Sequence, residues 1–233
     1  MFRLWCVLIG YGFGLIQTAF ILGKMNGIDI REHGSGNAGT TNTLRVLGTK
    51  AGLIVFAGDL VKCVLAVLCC GFIFKNVLGD SYEEFRYLIK LYAAAGAILG
   101  HNFPFYLNFK GGKGIASTAG LILSFSGLCS IVGAVMFFGS FLTTHYVSLG
   151  SLMMYLGFFV QMVIMGQMGL FGASRPVLIE MYAVTFALLI MAFYRHRENI
   201  KRLLSGTERK TYLSKKGKEK EAERTASKNG ENA

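Results

Sequence analysis

Residues 114–174 read GIASTAGLILSFSGLCSIVGAVMFFGSFLTTHYVSLGSLMMYLGFFVQMVIMGQMGLFGAS, 61 residues without one Asp, Glu, Lys or Arg. A helix needs about 20 apolar residues to cross a hydrocarbon core of about 30 Å, so this run has room for two or three crossings. Uncharged or nearly uncharged stretches recur on both sides of it. Residues 4–23 carry no charge, 51–74 are interrupted by Asp59 and Lys62, 87–101 end at His101, and 176–194 carry Glu180. A cleaved leader is the rival reading of 4–23, but no basic cluster precedes it and no small-x-small site follows it, so a retained helix is expected.

Charge in the connectors orients these segments. The loop 24–50 carries Lys24, Arg31, Arg45 and Lys50, the loop 102–113 carries Lys110 and Lys113, and residues 195–233 hold 12 of the 24 Lys and Arg. The loop 75–86 instead sets Asp80, Glu83 and Glu84 against Lys75 and Arg86. By the positive-inside rule the first three lie in the cytoplasm and the fourth outside. Parity then requires three crossings within the long uncharged run, near 115–125, 127–142 and 147–170. The expected fold is an all-α polytopic membrane protein of seven transmembrane helices, amino terminus outside and carboxyl terminus cytoplasmic. The first two crossings of the run are short, and five spans are the alternative.

Composition agrees. Of 233 residues 53% are hydrophobic and only 16% charged, against about a quarter charged in soluble domains, and the mean hydropathy is +0.48. The net charge of +11 is in large part a tail property, which argues against a nucleic-acid-binding core. The organisation expected is an integral membrane domain over 1–206 and a basic, disordered tail over 207–233. Cys6, Cys63, Cys69, Cys70 and Cys129 sit in apolar runs without paired spacing, so they read as packing residues, with no metal site and no disulfide framework.

The cytoplasmic connectors carry the chemistry. The first reads His33-Gly34-Ser35-Gly36-Asn37-Ala38-Gly39-Thr40-Thr41-Asn42-Thr43-Leu44-Arg45. Small residues let backbone N–H groups approach a ligand, hydroxyls and amides add directional bonds, and Arg45 adds a bidentate cation, a combination suited to phosphate. A flexible linker is the plainer alternative, but it has no use for these Thr, Asn and Arg residues. The second connector ends Phe109-Lys110-Gly111-Gly112-Lys113-Gly114. A glycine-rich turn entering a helix aims N–H groups and the helix dipole at an anion; a turn with snorkelling lysines fits the spacing equally well. It is not a Walker A loop. Asp59 and Lys62 share a helix face and serve either as an internal ion pair that shapes the site or as direct contacts. Ser148 and Ser151 also share a face, where membrane serines usually bond backbone. His196 and Asn199 stand at i, i+3 on a basic segment directly after the last span.

Taken together and in order, these motifs resemble the bacterial membrane glycerol-3-phosphate acyltransferases that use acyl phosphate, the PlsY family. The resemblance rests on Ser35–Asn42 with Arg45, on Gly58-Asp59-x-x-Lys62, on Gly100-His101-x-x-Pro104 through Gly114, on Ser148 and Ser151, and on His196-x-x-Asn199-Ile200-x-Arg202 with Gly206-Thr207-Glu208. Cys63 stands where the family usually has glycine. The resemblance implies a seven-helix bundle in the bacterial plasma membrane with its site facing the cytoplasm. It implies acyl transfer from acyl phosphate to the 1-hydroxyl of sn-glycerol 3-phosphate, giving lysophosphatidic acid and phosphate for phospholipid synthesis. It implies no cofactor, and an unidentified enzyme that supplies the acyl phosphate.

On that basis Ser35, Arg45, Lys110, Ser148, His196 and Asn199 are expected on glycerol 3-phosphate, with Ser151 beside them. Asn37, Gly39 and Asn42, with Lys110, Gly111, Gly112, Lys113 and Gly114, are expected to hold the donor phosphate and the oxyanion. Asp59, Lys62, Arg202 and Glu208 shape the site. His101 and His196 are the candidate bases, with proton acceptance by the donor phosphate the alternative. None of His33, His101, His145 and His196 has an Asp five residues on, which argues against the His-x-x-x-x-Asp acyltransferases. An anion transporter is the rival class, but no internal repeat is evident and the polar motifs cluster on one membrane side.

Overall fold

The computed structural model describes residues 1–212, and every regular element among them is helical. Ten α-helices follow in order: α1 (Phe2–Gly14), α2 (Thr18–Met25), α3 (Thr40–Leu47), α4 (Thr49–Leu78), α5 (Tyr82–Asn102), α6 (Ile115–Phe125), α7 (Gly127–Thr144), α8 (Val147–Gln167), α9 (Arg175–Arg195) and α10 (Arg197–Leu204). Five stretches are long and apolar enough to cross a membrane: Phe2–Met25, Thr49–Leu107, Gly127–Thr144, Val147–Gln167 and Arg175–Arg195. Thr49–Leu107 contains two helices, α4 and α5, which turn at Gly79–Ser81 and pack on each other. The 11 residues of α6 are apolar but rise only about 16 Å.

The bundle is built around α5, which packs against α1, α4, α6 and α9. The run Ala93-Ala94-Ala95-Gly96-Ala97 explains how one helix takes so many neighbours, because small side chains let backbones approach. Contact is closest where α1 crosses α5. A Cβ on Gly10 or Gly14 would run into the carbonyls of Ala93 or Ala97, and one on Gly96 or Gly100 into those of Val7 or Tyr11. Two small-xxx-small pairs therefore face each other. Large apolar side chains such as Leu53, Leu65, Leu68 and Phe72 of α4 are exposed instead, as on a lipid-facing surface.

Between α1 and α2 the helix breaks, and the break releases carbonyls that other elements use. Gln17, fully buried there, donates to the carbonyls of Gly14 (3.2 Å), Gly100 (3.1 Å) and His101 (3.1 Å). Elsewhere in the bundle Arg3 clamps Glu180, which also accepts from the Tyr92 hydroxyl at 2.7 Å. Lys90 donates to the carbonyls of Ser124 (2.8 Å) and Phe125 (3.3 Å), where a cation complements the end of α6.

Residues 207–212, assigned to the tail by the sequence reading, lie against the body. Thr211 is buried and its N–H reaches the His145 carbonyl at 2.9 Å, while the Tyr212 and His145 rings stand 4.6 Å apart. The remainder of the expected tail, 213–233, lies outside the described residues.

Candidate active site

The polar motifs converge in two layers. The deeper one joins the break between α1 and α2 to α4 and the end of α5. Lys62 donates to the Ile16 carbonyl (2.7 Å), to Asp59 Oδ1 (2.8 Å) and to His101 Nδ1 (2.9 Å). Thr18 adds a bond to Asp59 at 3.2 Å, and the Ser117 hydroxyl donates to the Asp59 carbonyl at 3.2 Å. Asp59, Lys62 and His101 are each at most 3% exposed. An ammonium has three protons and all three are committed, so the charge is neutralised where it lies. Because an ammonium only donates, His101 Nδ1 accepts and its proton sits on Nε2. His101, one of the two candidate bases, thus has Nδ1 engaged by Lys62 and Nε2 turned to Gly112 of the connector. Asp59 and Lys62 form a buried ion pair at the foot of the glycine-rich connector.

The glycine-rich connector rests on this layer. Gly111 N–H donates to the Asn102 carbonyl (3.2 Å) and Gly112 N–H to the His101 carbonyl (3.1 Å). The sequence reading had these N–H groups cradling a phosphate; they are used inside the protein. Gly111 and Gly112 are glycine for packing, since a Cβ on Gly111 would meet the His101 carbonyl and one on Gly112 the His101 ring and the Ala38 carbonyl. Close approach at Gly112 brings the first connector onto the second. Free to meet an anion is the first turn of α6, whose N–H groups have no partner within the helix. Gly114, at φ +78°, makes the turn into it.

The upper layer holds Lys113, Ser148, Asn199, Arg202 and Glu208. Lys113 donates to Asn199 Oδ1. Glu208 accepts from Ser148 (2.8 Å), Asn199 (2.6 Å) and Arg202 (2.7 Å). Arg45 reaches in from α3, bonding Thr211 Oγ1 at 3.0 Å and the Arg209 carbonyl at 3.3 Å. Arg195, which the sequence reading passed over, donates to the carbonyls of Gly111 (3.1 Å) and Gly112 (2.6 Å). Its position directly before His196, as the first charge after an apolar span, was the available signal.

Three arginines, Arg45, Arg195 and Arg202, and one carboxylate, Glu208, thus act on Lys113. Burial, aided by the three arginines and opposed by Glu208, pulls Lys113 down to about 8. Burial, with Lys113 and Arg195 beside it, pulls His196 down to about 4, so its ring is neutral near pH 7. His196 Nδ1 lies 2.8 Å from the Ala192 carbonyl and carries the proton, leaving Nε2 with its lone pair. Burial raises Glu208, but the bonds from Asn199, Arg202 and Ser148 prevail and hold it below the usual carboxylate range.

In the first connector Asn42 is an organiser. Buried, it donates to the carbonyls of Ile30 (3.0 Å) and His33 (2.9 Å) and accepts from Ser35 N–H (2.7 Å) and Oγ (3.1 Å). Its amide, assigned to substrate by the sequence reading, is filled by the loop. Gly39 opens α3, its carbonyl accepting from Thr43, and Asn37 is half-buried beside it. Ser35 and Lys110 are exposed at the surface. Ser151 donates to the Val147 carbonyl (2.7 Å), the ordinary helical use of a serine. Among the described residues no group of His, Cys, Asp and Glu forms a metal site.

The sequence profile of the glycerol-3-phosphate acyltransferase family matches residues 4–206. The chain belongs to this family. It is 40% identical over 210 residues to the glycerol-3-phosphate acyltransferase of Halalkalibacterium halodurans, covering 88% of this chain and 94% of that one. It is 39% identical over 213 residues to that of Alkaliphilus metalliredigens, covering 90% and 96%. Among solved structures it is similar to PlsY, an integral membrane glycerol 3-phosphate acyltransferase, in its glycerol 3-phosphate form. The TM-score is 0.74 at 30% identity, over 90% of this chain and 96% of that one. The lysophosphatidic acid form of PlsY gives a TM-score of 0.72. Every residue of both layers except Glu208 and the stretch that follows it lies within the span matched to the acyltransferase family.

Proposed function

We propose that this chain transfers a fatty acyl group from acyl phosphate to the 1-hydroxyl of sn-glycerol 3-phosphate, releasing lysophosphatidic acid and phosphate. The observation that carries the reading is the excess of cations at Lys113, where Arg45, Arg195 and Arg202 are opposed by Glu208, at the entry to the first turn of α6. Two phosphate-bearing substrates repel each other, and the site supplies charge to hold both. Family membership supports the reaction, and the acyl donor is the reading of the sequence motifs.

In this scheme the α6 N-terminus and Lys113 bind the donor phosphate. Ser35, Arg45, Lys110, Ser148 and Asn199 bind the acceptor, and Ser35 and Lys110 are exposed at the surface. His196 Nε2 accepts a hydrogen bond from the acceptor hydroxyl as it binds and orients it, and for the transfer step that hydrogen turns to the donor phosphate. The hydroxyl oxygen forms a bond to the acyl carbon, the bond from that carbon to the phosphate oxygen breaks, and the leaving phosphate takes the proton. A histidine drawn down to about 4 is a weak base at neutral pH, so the phosphate is the better acceptor.

Counting Thr49–Leu107 as the two helices it contains, and α6 as a short crossing, gives seven crossings. With positive connectors inside, the amino terminus is outside, the carboxyl terminus and the site are cytoplasmic, and the membrane is the bacterial plasma membrane. An acyl-phosphate-forming enzyme must supply the donor.

Purified protein in detergent, given labelled glycerol 3-phosphate with palmitoyl phosphate or with palmitoyl-CoA, tests the reading. Lysophosphatidic acid from the acyl phosphate alone supports it. Product from the thioester alone overturns the donor, and product from neither, in folded protein, moves the assignment to an anion transporter.

A further inference from the structure

The glycine-rich connector is a chain of peptides whose directions are not set by side chains, since glycine tolerates most backbone angles. Something must choose them. Each trans peptide is planar with its C=O and N–H antiparallel, so fixing the carbonyl fixes the N–H; among the described residues no peptide is cis. In the peptide joining Gly111 to Gly112, the carbonyl points to Arg195 and the N–H to the His101 carbonyl. In the peptide joining Gly112 to Lys113, the carbonyl again points to Arg195, at 2.6 Å. The Lys113 N–H is therefore directed away from Arg195, at the entrance to the first turn of α6. The guanidinium is itself held from behind, its centre 5.2 Å from the Phe103 ring centroid.

We propose that Arg195 is a positioning residue that sets the polarity of the phosphate loop. It draws the Gly111 and Gly112 carbonyls to one side, so that the Lys113 N–H and those opening α6 meet the donor phosphate on the other. Without it, the Gly111–Gly112 peptide keeps its bond to the His101 carbonyl, but the Gly112 carbonyl is free to turn its negative end towards the anion. The inference rests on the reading of the site as an acyl-phosphate site. Both bonds come from one terminal nitrogen, Nη2, whose two protons are held in the guanidinium plane; a lysine in this place keeps the charge but not that fixed direction.

The test compares Arg195→Lys, Arg195→Gln and Phe103→Leu with wild type in detergent, each shown to be folded by elution profile and thermal midpoint. KM is measured for palmitoyl phosphate and for glycerol 3-phosphate separately. Loss of a charged hydrogen bond predicts that donor KM rises about tenfold to a hundredfold in both arginine variants. Phe103→Leu should shift it in the same direction by less, with acceptor KM within about twofold of wild type throughout. Arg195→Ala assayed with ethylguanidinium should recover activity that ethylammonium does not restore. A purely structural role would lower the active fraction and leave both KM values unchanged, and that result overturns the proposal, as does a wild-type donor KM in Arg195→Lys. If the arginine variants fail to fold, an unchanged donor KM in Phe103→Leu overturns it alone. Wild type without turnover on acyl phosphate indicts the functional reading instead.

Discussion

Lys62 and Lys113 are both largely withdrawn from water at the same end of the bundle, yet they live in opposite circumstances. Lys62 gives its three protons to Ile16, Asp59 and His101 and has its counter-charge in contact. Lys113 gives a bond to Asn199 and stands among Arg45, Arg195 and Arg202, with Glu208 the opposing charge. The first cluster is electrically closed and can only hold structure. The second is under-neutralised, which costs stability when empty and is recovered when an anion arrives. A buried cation is thus a brace or a binding group according to whether its protons and charge are already matched.

The strongest way to break this comparison is to open the closed cluster. Lys62→Met leaves Asp59 charged, buried and unpaired, and should destabilise the protein by about 3–5 kcal/mol. Thermal unfolding in detergent measures this, and adding Asp59→Leu should return much of the loss. Were the single variant as stable as wild type, Lys62 would not be a brace. In the open cluster Lys113→Ala should leave the unfolding midpoint near wild type while lowering turnover about a hundredfold to a thousandfold. Steady-state acyltransfer reads this directly, and a collapse of stability with activity per folded molecule preserved would reverse the two roles.

A finer test uses pH. A lysine is charged below its pKa, so with Lys113 near 8 the rate should fall as pH rises through that value, and Lys113→Arg should move the fall to higher pH. His196, near 4, contributes no change between pH 5 and 7. A fall unmoved by Lys113→Arg would assign it to another group. The smallest effect belongs to the Arg3–Glu180 pair, which is partly exposed. Arg3→Ala should cost about 1 kcal/mol or less and leave turnover unchanged.

Much of this arrangement is legible in the amino-acid sequence. The expected segments 4–23, 51–74, 87–101, 115–125, 127–142, 147–170 and 176–194 fall on Phe2–Met25, α4, α5, α6, α7, α8 and α9. The polar connectors are where the sequence places the chemistry, and Lys113, Asn199, Ser148, Arg202 and Glu208 do meet. Individual roles were less legible. Asn42, Gly111 and Gly112 have the chemistry of ligand contacts but are used within the protein. Arg195 was overlooked because a cation after an apolar span has a ready explanation in the membrane interface.

Where helices run and which connectors are polar follow from local sequence. Hydropathy over about 20 residues and charge bias between spans are properties of contiguous chain, decided without reference to any distant partner. Which polar groups are already satisfied depends on the packed fold. His101 is closed off by a lysine 39 positions away, and the glycine loop is directed by an arginine 83 and 84 positions beyond it. A hydrogen bond is a matter of distance and angle between groups that helix crossings bring together, and the crossings here are set by small residues on α1 and α5 far from the groups they align.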